Sequence, residues 1–381
     1  MPVPYKPTER DKPILDGIAA HLKNSLKTWY GNEARLDTDE PEFRSYKNSF
    51  ILGYPVTLPN GKKKMVLVKI RRNPKMESLT QAIATDLHAN VPIEYHSLVF
   101  VYDRLAGKDE DLSVIRPLDF IEPYYAIVME EYPSQPLRKI LADQRNGGNL
   151  HELVDAATKT GKWLHYFHHH VNTPQEVSFS NDDILSEVEH FASRLENSSH
   201  GRVQAEEILT QFSEQIKYSQ LDSMTFSQSH ADMTCDNVLY SADQKVCVID
   251  IKTRLAPVYS DLGLILTHPE TFKEQIFSAG LYLPESLLKA YREAILAGYF
   301  GEEPQDKVLV AIYSAIKVLD KWTMYEELMS RYKGMKYLLS IPVGPFVTAY
   351  FQNVFRKHLN MAKVNEAQSR ASTIKPADPA L

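Results

Sequence analysis

The pattern of apolar and polar positions predicts a β-hairpin near residue 60. Ser49 to Leu58 and Lys64 to Ile70 are two runs rich in apolar residues, and Pro59-Asn60-Gly61 lies between them. An Asn-Gly pair accepts positive φ at low cost, which is typical of the turn between antiparallel strands. Pro55 has no N–H for a ladder hydrogen bond, so it indicates an edge or a bulge in the first strand.

Helical and strand-like segments surround this hairpin. Apolar residues at close to helical spacing predict a helix from Pro13 to Tyr30. Two more helices are expected, from Glu77 to about Ala89 and from Pro92, a residue that suits a first helical turn, to Leu105. Val114 to Ile121 and Tyr124 to Tyr132 predict two further strands.

The character of the chain changes at about Glu131 to Pro136. From Leu137 onward the pattern is mostly helical, with one strand-rich interruption at Asn237 to Ile251. We therefore expect an α+β fold with a small antiparallel-sheet lobe and a large, mainly helical lobe. The expected boundaries are 1–40 for an N-terminal helical extension, 41–132 for the small lobe and 133–381 for the large lobe.

Composition narrows the class of protein. The chain has 381 residues, of which 43% are hydrophobic and 24% charged, and this ordinary globular balance argues against disorder. A net charge of −6 argues against nucleic acid as a partner. The two cysteines are too few for a disulfide framework, and we see neither a signal peptide nor a membrane span. These features favour a cytoplasmic protein without a transmembrane segment.

The residues best suited to catalysis lie in the segment from His230 to Asp250. Two short apolar strands flank a turn there, so a hairpin would carry Asp232 and Asn237 at its entry and Asp250 at its exit. A carboxylate can take the proton of an alcohol, and an amide oxygen with a second carboxylate suits Mg²⁺. The spacing His-x-Asp-x₄-Asn, with an apolar strand that ends in Asp, therefore predicts phosphoryl transfer, with Asp232 as base and Asn237 and Asp250 as metal ligands.

This segment resembles the catalytic loop of the aminoglycoside phosphotransferase and choline kinase family, which has a protein-kinase-like fold. That family typically shows His-Gly-Asp-x₄-Asn with a following Ile-Asp, and Ala231 stands here where glycine is usual. The segment Tyr259-Ser-Asp261-Leu-Gly resembles the family's Asp-Leu-Ala element. The resemblance implies that His230 and Asp261 support the loop, that ATP and Mg²⁺ are bound, that the small lobe binds the nucleotide, and that the large lobe carries the catalytic loop and the acceptor site.

A kinase-like small lobe should offer a lysine on a strand. Lys69, with apolar residues on both sides, resembles the family's strand lysine that contacts the α- and β-phosphates; the alternative is a solvated lysine at a strand end. Its partner in the family is a glutamate on a nearby helix. Glu94, which is followed by apolar residues at helical spacing, is the predicted partner, and Glu77 is the competing candidate. Glu94 could also be an ordinary first-turn glutamate that faces the helix dipole.

The rest of the nucleotide site is less distinct. The position expected for a glycine-rich loop, Phe43 to Phe50, contains no glycine. Phosphate contacts would then come from side chains or backbone amides of Arg44, Ser45, Lys47, Asn48 and Ser49. Val128 to Tyr132 resembles the hinge, and the resemblance implies that the backbone of Met129, Glu130 and Glu131 meets the adenine; the alternative is a plain strand end.

Two further clusters are weighed against packing. His165, His168 and His169 have a spacing that can hold a metal, but no Cys or carboxylate motif supports it, so packing is favoured. Aromatic and polar residues of the large lobe could bind a sugar, although a helical core with a solvated basic face explains them equally well. They are Trp322, Tyr325, Glu326, Glu327, Arg331, Tyr332 and Tyr337.

The expected function is an ATP-dependent phosphotransferase that moves the γ-phosphate to an alcohol of a small molecule, with a sugar or glycan preferred. An aminoglycoside or choline/ethanolamine kinase is the first alternative. A nucleotide-binding pseudokinase that acts as a scaffold is an alternative of another class. The sequence leaves open a peripheral contact with a membrane surface, and it does not fix the oligomeric state.

Overall fold

The computed structural model describes residues 6–85, 89–199, 202–216, 223–331 and 335–373, with the side chains of 335–342 and 364–373 left undescribed. The chain forms two compact units. Unit 1 consists of Met1–Ser134 and Ser241–Lys252, and unit 2 consists of Gln135–Tyr240 and Thr253–Leu381.

The helices are α1 Lys12–Tyr30, α2 Leu79–Ile83, α3 Val91–Leu105, α4 Leu137–Asp143, α5 Leu150–Tyr166, α6 Asn181–Ser198, α7 Ala205–Ile216, α8 Val258–Thr267, α9 Lys273–Phe277, α10 Glu285–Phe300, α11 Lys307–Ser330 and α12 Met335–Thr373. The strands are β1 Arg35–Leu36, β2 Glu42–Ser45, β3 Ser49–Thr57, β4 Lys63–Arg71, β5 Leu112–Ser113, β6 Pro117–Ile121, β7 Ala126–Glu130, β8 Ser134–Pro136, β9 Gln175–Ser178, β10 Ser223–Ser229, β11 Val238–Ser241, β12 Val246–Val248 and β13 Arg254–Pro257.

Unit 1 is built on an antiparallel sheet in the order β1-β3-β4-β7-β6, with β2 also paired to β3. The predicted hairpin is its centre, because β3 and β4 pair over their whole length from Ser49↔Arg71 to Thr57↔Lys63. Alternate residues of both strands are buried on one face, where α1 covers them. The opposite face of β4 therefore receives Lys69 and Arg71, two positions apart.

Pro55 lies inside this sheet at a point where its missing N–H costs nothing. Its register partner on β4 is Met65. On the other side of β3, β1 pairs with Val56 and Thr57, and β2 ends opposite Gly53. The carbonyl oxygen of Pro55 accepts a hydrogen bond from the N–H of Asp37 at 2.9 Å. Pro55 thus lies between the ends of β1 and β2, the two strands that pair with the outer side of β3. The structure has this gap where the sequence predicted an edge or a bulge.

The units differ from the predicted boundaries in two places. Ile18, Leu22 and Leu26 of α1 are buried in the same apolar cluster as the sheet of unit 1, so this helix is part of that core. The segment Ser241–Lys252 also belongs to unit 1, where β12 pairs in parallel with β5. Neither arrangement could be read from composition, because both depend on pairing between distant segments.

Two of the predicted elements of unit 1 are shorter than expected. In place of a helix over Glu77 to Ala89, the structure has α2, Leu79–Ile83, and residues 86–88 lie outside the described part. In place of one strand over Val114 to Ile121, it has β5 and then β6, which begins at Pro117. The helices α1 and α3 and the strand β7 lie where the sequence predicts them.

Unit 2 is mainly helical, with an antiparallel sheet in the order β13-β10-β9. One apolar cluster joins α6, α7, α11 and α12. Elsewhere α5 and α10 approach so closely that a Cβ on Gly161 would lie 2.0 Å from the oxygen of Ile295, and one on Gly298 would lie 1.9 Å from that of Thr158. The α+β class predicted from the sequence is confirmed.

Candidate active site

In unit 1, charged side chains from three separate segments meet on the face of β4 opposite to α1. The ammonium of Lys69 donates to Glu94 Oε1 of α3 at 2.7 Å and contacts the carboxylate of Asp250, which follows β12. Arg71 donates from Nε to the second oxygen of Glu94 at 2.5 Å. Lys69 and Glu94 are both buried. The structure therefore joins Lys69 to Glu94, whereas Glu77 is exposed and lies outside this cluster.

The ion pairs decide the protonation of this cluster. Burial alone would lower the pKa of Lys69, but the carboxylates of Asp250 and Glu94 outweigh burial and raise it. Burial would raise the pKa of Asp250, but Lys69 outweighs it and the pKa is lowered. Lysine and aspartate are thus both held in their charged forms. Such an array suits the anchoring of a polyphosphate with its cation.

Arg71 is a member of this cluster that the sequence reasoning left among the solvated basic residues. The strand period could have identified Arg71, because residues two apart on a strand share a face and Lys69 and Arg71 are two apart on β4. Asp250 has a φ of 59°, a left-handed conformation that aspartate tolerates better than most residues.

The predicted hinge uses its own N–H groups inside unit 1. The N–H of Glu130 donates to the oxygen of Arg116 at 3.0 Å, and the N–H of Glu131 donates to the oxygen of Met65 at 2.9 Å. The Glu130 carboxylate also pairs with Lys64 at 2.6 Å. The N–H of Tyr132 donates to no main-chain oxygen of the described residues. Tyr132 is therefore a better placed main-chain donor for a base than Glu130 or Glu131.

The segment without glycine forms a tight exposed turn between β2 and β3. The N–H of Tyr46 donates to the oxygen of Ser49 at 2.8 Å, and Lys47 and Asn48 are exposed. Arg44 is engaged elsewhere, since it pairs with Glu131 at 2.8 Å. Of the predicted phosphate contacts, those of the turn itself remain accessible.

A cavity of about 480 Å³ in unit 1 lies beside the hinge segment. Glu130, Glu131 and Tyr132 line part of it, but Lys69, Glu94 and Asp250 do not. The cavity is thus separate from the charged cluster on β4.

In unit 2 the catalytic loop leaves the end of β10. Strand β10 pairs with β13, so that Ser229 lies opposite Arg254, and β13 runs directly into α8. The first turn of α8 carries Asp261. The pairing of two strands therefore brings Asp261 to the start of the loop, about thirty residues after it in sequence.

Asp261 fixes the main chain of the loop. Its carboxylate accepts hydrogen bonds from His230 N at 2.6 Å, Ala231 N at 3.1 Å and Ser229 Oγ at 2.7 Å. His168 Nε2 lies 3.2 Å from the same carboxylate. Burial would raise the pKa of Asp261, but His168 and the hydrogen bonds outweigh it and lower the pKa to about 2. A buried, ionised carboxylate thus holds consecutive N–H groups in place.

Ala231 explains why glycine is usual at this position of the family motif. Its φ is 63°, in the left-handed region that costs a residue with a Cβ roughly 1–2 kcal/mol. The hydrogen bonds from Ala231 N to Asp261 and to Ser229 Oγ, both at 3.1 Å, hold it there. The departure from the family pattern is therefore accommodated with the backbone shape retained.

The two residues expected to act on substrate and cation lie on this fixed backbone. The main-chain N–H of Asp232 donates to His230 Nδ1 at 3.2 Å, and Asp232 is half-buried. The side-chain nitrogen of Asn237 donates to the main-chain carbonyl oxygen of Asp232 at 2.8 Å. The amide oxygen of Asn237 is thus left as the group that can bind a cation. Oxygen donors of this kind fit Mg²⁺. His230 is fully buried.

His168 is the supporting residue that the sequence reasoning set aside as packing. It is buried, and its Nδ1 lies 3.0 Å from the hydroxyl of Tyr299 while Nε2 faces Asp261. His165 and His169 stack at 4.6 Å, and burial lowers the pKa of His169 to about 4. Within the described part of the chain, no group of three or more His, Cys, Asp or Glu side chains could hold a metal.

The residues predicted to bind a sugar mostly have structural roles. Trp322 is 1% exposed and belongs to the apolar cluster of unit 2. Glu326 is fully buried, pairs with Arg202 at 2.5 Å and accepts from Thr348 at 2.7 Å. Glu327 pairs with Arg194 at 2.9 Å. The prediction is wrong for Trp322 and Glu326, because α11 turns both inward, and for Glu327, whose side chain is 26% exposed, it stays a prediction.

The four other members of that predicted set have different outcomes. Tyr325 is partly buried and packs against the apolar cluster of unit 2. Arg331 is exposed, 3.9 Å from Glu327. Tyr332 and the side chain of Tyr337 lie outside the described residues.

Comparisons with known proteins define the fold. No family model matches the sequence, and no curated protein matches it. A choline kinase from Cryptosporidium parvum Iowa II has a similar structure, with a TM-score of 0.51 and 13% identity over 94% of this chain and 97% of that one. An amicoumacin kinase in complex with AMP-PNP and Ca²⁺ aligns with a TM-score of 0.49 and 11% identity over 92% and 96% of the two chains.

At these identities the likeness is one of fold, and only the first of the two scores is high enough to support it. The chain has the fold of a choline kinase structure, as the resemblance of its catalytic loop led us to expect. Of the helices within the described residues, none is long and apolar enough to cross a membrane.

Proposed function

We propose that this protein is an ATP-dependent phosphotransferase that moves the γ-phosphate to an alcohol of a small molecule. The observation that carries the proposal is the fixed loop of unit 2, in which Asp261 binds the N–H groups of His230 and Ala231, the two residues before Asp232. A choline kinase of the same fold acts on an alcohol, which agrees with this reaction class.

In the proposed reaction, the acceptor oxygen forms a bond to the γ-phosphorus while the bond from that phosphorus to the bridging oxygen of ADP breaks. Asp232 accepts the proton of the alcohol. ADP and a phosphate monoester leave. Asp232 serves here only an acceptor with a removable proton, which suits a sugar, an amino alcohol or another hydroxylated molecule.

The remaining residues have supporting roles in this proposal. Lys69 contacts the phosphates, Glu94 and Arg71 hold it in position, and Asn237 and Asp250 hold Mg²⁺, which neutralises charge on the phosphates. Tyr132 offers its N–H to the base next to the predicted hinge residues Met129, Glu130 and Glu131. His230 and Asp261, with His168, keep the loop in shape.

The proposed reaction is tested by ADP formation with alcohols, and the metal role of Asp250 by calorimetric titration of Mg·ATP. Asp250→Ala should weaken binding at least about tenfold, since a carboxylate on the cation is lost. Asp243→Asn, which removes an exposed carboxylate between β11 and β12, is the matched control and should leave binding unchanged. Equal affinities of wild type and Asp250→Ala would refute the metal role.

A pseudokinase scaffold is the second candidate, favoured by the segment without glycine between β2 and β3. It predicts Mg·ATP binding of the same strength but no ADP formation with any alcohol. The two candidates therefore separate on turnover, not on binding.

A further inference from the structure

Unit 2 contains a cavity of about 320 Å³ that is lined by cations and aromatic residues. Its walls come from α4, from the turn and short helix after α8, and from one face of α11. A volume in this range suits a sugar-sized molecule. None of the residues that line it is a carboxylate.

The cavity adjoins the catalytic loop. His268, in its wall, accepts a hydrogen bond at Nδ1 from Cys235 N at 3.1 Å. On the other side, Arg138 N donates to the Cys235 oxygen at 3.1 Å. Cys235 follows Asp232 by three residues, a length of chain that reaches at most about 11 Å. Two residues of the cavity wall, Arg138 and His268, are thus bonded to the loop three residues from the proposed base.

The charge of the cavity is positive. Arg138 pairs with two carboxylates, Asp236 at 3.3 Å and Glu274 at 3.0 Å, so these three groups together leave one negative charge, which the two lysines of the wall outnumber. Lys273 and Lys321 line the cavity too, and in the part of the chain that the structure describes neither takes part in an ion pair. The pKa of His268 reflects this field, because burial and then Lys321 and Arg138 lower it to about 3. His268 is therefore neutral and adds no charge of its own.

The α11 face of the cavity is amphipathic. Lys321, Met324, Tyr325 and Leu328 stand at helical spacing on one side of the helix. Met324 and Leu328 are 49% and 48% exposed, so apolar surface is uncovered beside the cations. A ring with C–H faces and an anionic end would match both parts of this wall.

We propose that this cavity receives the acceptor, and that the acceptor is a hydroxylated small molecule with a phosphate or carboxylate group. The inference rests on the proposed function and names its substrate class. Lys321 and Lys273 bind the anionic group, and the α11 face packs on the carbon skeleton. A cationic aminoglycoside or choline would meet like charge at the same place, which disfavours both as acceptors.

The test is a calorimetric titration without nucleotide, with four matched probes: glucose, glucose 6-phosphate, glucuronate and glucosamine. The variants are Lys321→Gln, Lys321→Arg and Lys273→Gln, and Lys289→Gln is the control, because it removes an exposed lysine of α10 that lies outside the cavity. The phosphate and carboxylate probes separate the two possible anionic groups.

We expect at least one anionic probe to bind about tenfold or more tightly than glucose, with glucosamine weakest. Lys321→Gln and Lys273→Gln should each reduce that advantage about three- to tenfold, and added salt should reduce it further. Lys321→Arg and Lys289→Gln should leave it unchanged. Unchanged thermal midpoints of unfolding will show that the variants are folded.

The proposal is overturned if neither anionic probe binds better than glucose, if glucosamine binds best, or if Lys321→Gln changes nothing. Mg·ATP titration and ADP formation on the same preparations keep this result apart from the proposed function. If only glucose or glucosamine is phosphorylated, the protein is a phosphotransferase and the proposed class of acceptor is wrong. Loss of Mg·ATP binding would refute the proposed function, while the probe titrations still decide the nature of the cavity.

Discussion

The side chains of the charged cluster in unit 1 are held by one another, whereas the loop that carries Asp232 in unit 2 is held through its main chain. On β4, Lys69 and Arg71 bridge carboxylates that come from α3 and from the segment after β12. In the catalytic loop, Asp261 binds backbone N–H groups instead. Charged side chains can rearrange when a ligand brings new charges, but a backbone bound to a buried carboxylate cannot do so cheaply. Unit 1 is thus suited to gripping a ligand, and unit 2 to presenting a group at a fixed place.

The largest effect should come from breaking the brace of unit 2. Asp261→Ala leaves the N–H groups of His230 and Ala231 without their buried acceptor, so the free energy of unfolding should fall by about 3–5 kcal/mol. Denaturant titration measures this change. A loss below about 1 kcal/mol would mean that the loop does not depend on Asp261.

The same carboxylate gives the brace a pH dependence. Because the pKa of Asp261 is about 2 in the folded protein and 3.8 is its ordinary value, its ionised form stabilises the fold fully above about pH 4. This contribution, about 2 kcal/mol, is lost as the pH falls from about 4 to 2. Asp261→Asn should lack that part of the acid-induced loss. Glu270, whose pKa is also about 2, should still cause a loss of stability in acid in both the wild type and Asp261→Asn.

The cluster of unit 1 should fail in a different manner. Lys69→Met removes the donor to the phosphates, so phosphotransfer should fall about 100-fold. Stability should change less than in Asp261→Ala, because Arg71 still pairs with Glu94. Lys63→Met, which removes an exposed lysine of the same strand, is the control. Equal activities of the two variants would contradict the assignment of Lys69.

Glu94→Gln should have a milder effect of roughly five- to tenfold on phosphotransfer, because an amide oxygen keeps the hydrogen bond and loses the charge. Glu77→Gln should be silent, since Glu77 is exposed and outside the cluster. The ratio of the two activities decides between them, and a loss confined to Glu77→Gln would reverse the assignment.

Much of unit 1 could be predicted because its signals are local. The Asn60-Gly61 turn and the alternation of β3 and β4 specify the hairpin, and the apolar spacing after Glu94 specifies α3. The motif around Asp232 is likewise local, since Asp232 and Asn237 lie five positions apart. These features depend on residues that are close in sequence.

The remaining features depend on contacts between distant residues. His168 meets Asp261 across 93 positions, and no pattern near either residue signals that pair. The prediction that Trp322 and Glu326 of α11 line the acceptor site is wrong for the same reason. A helix with apolar and polar groups on both sides does not reveal which side is covered, and the burial of Trp322 and Glu326 is decided by α12 and by Arg202.

The smallest predicted effect is a change in stability at Ala231, one residue of the loop in unit 2. Ala231→Gly removes the Cβ at a φ of 63°, so the free energy of unfolding should rise by up to about 1 kcal/mol, after the entropy of the added glycine is subtracted. Ala279→Gly, at a φ of 53° outside the loop, is the matched control. A rise for both with no change in turnover would show that the family's glycine serves backbone shape alone. A large loss of stability in Ala231→Gly would contradict the account of this turn.

The central claim is the transfer of phosphate from ATP to an alcohol with Asp232 as base. It is tested most directly by ³¹P NMR of the wild type and Asp232→Asn with Mg·ATP and a panel of neutral, anionic and cationic sugars and amino alcohols. The account predicts ADP and a phosphate monoester in equal amounts for the wild type. It predicts less than about a hundredth of that rate for Asp232→Asn, with Mg·ATP binding retained. Turnover that survives in Asp232→Asn, or wild-type protein that binds Mg·ATP and phosphorylates no member of the panel, would contradict it.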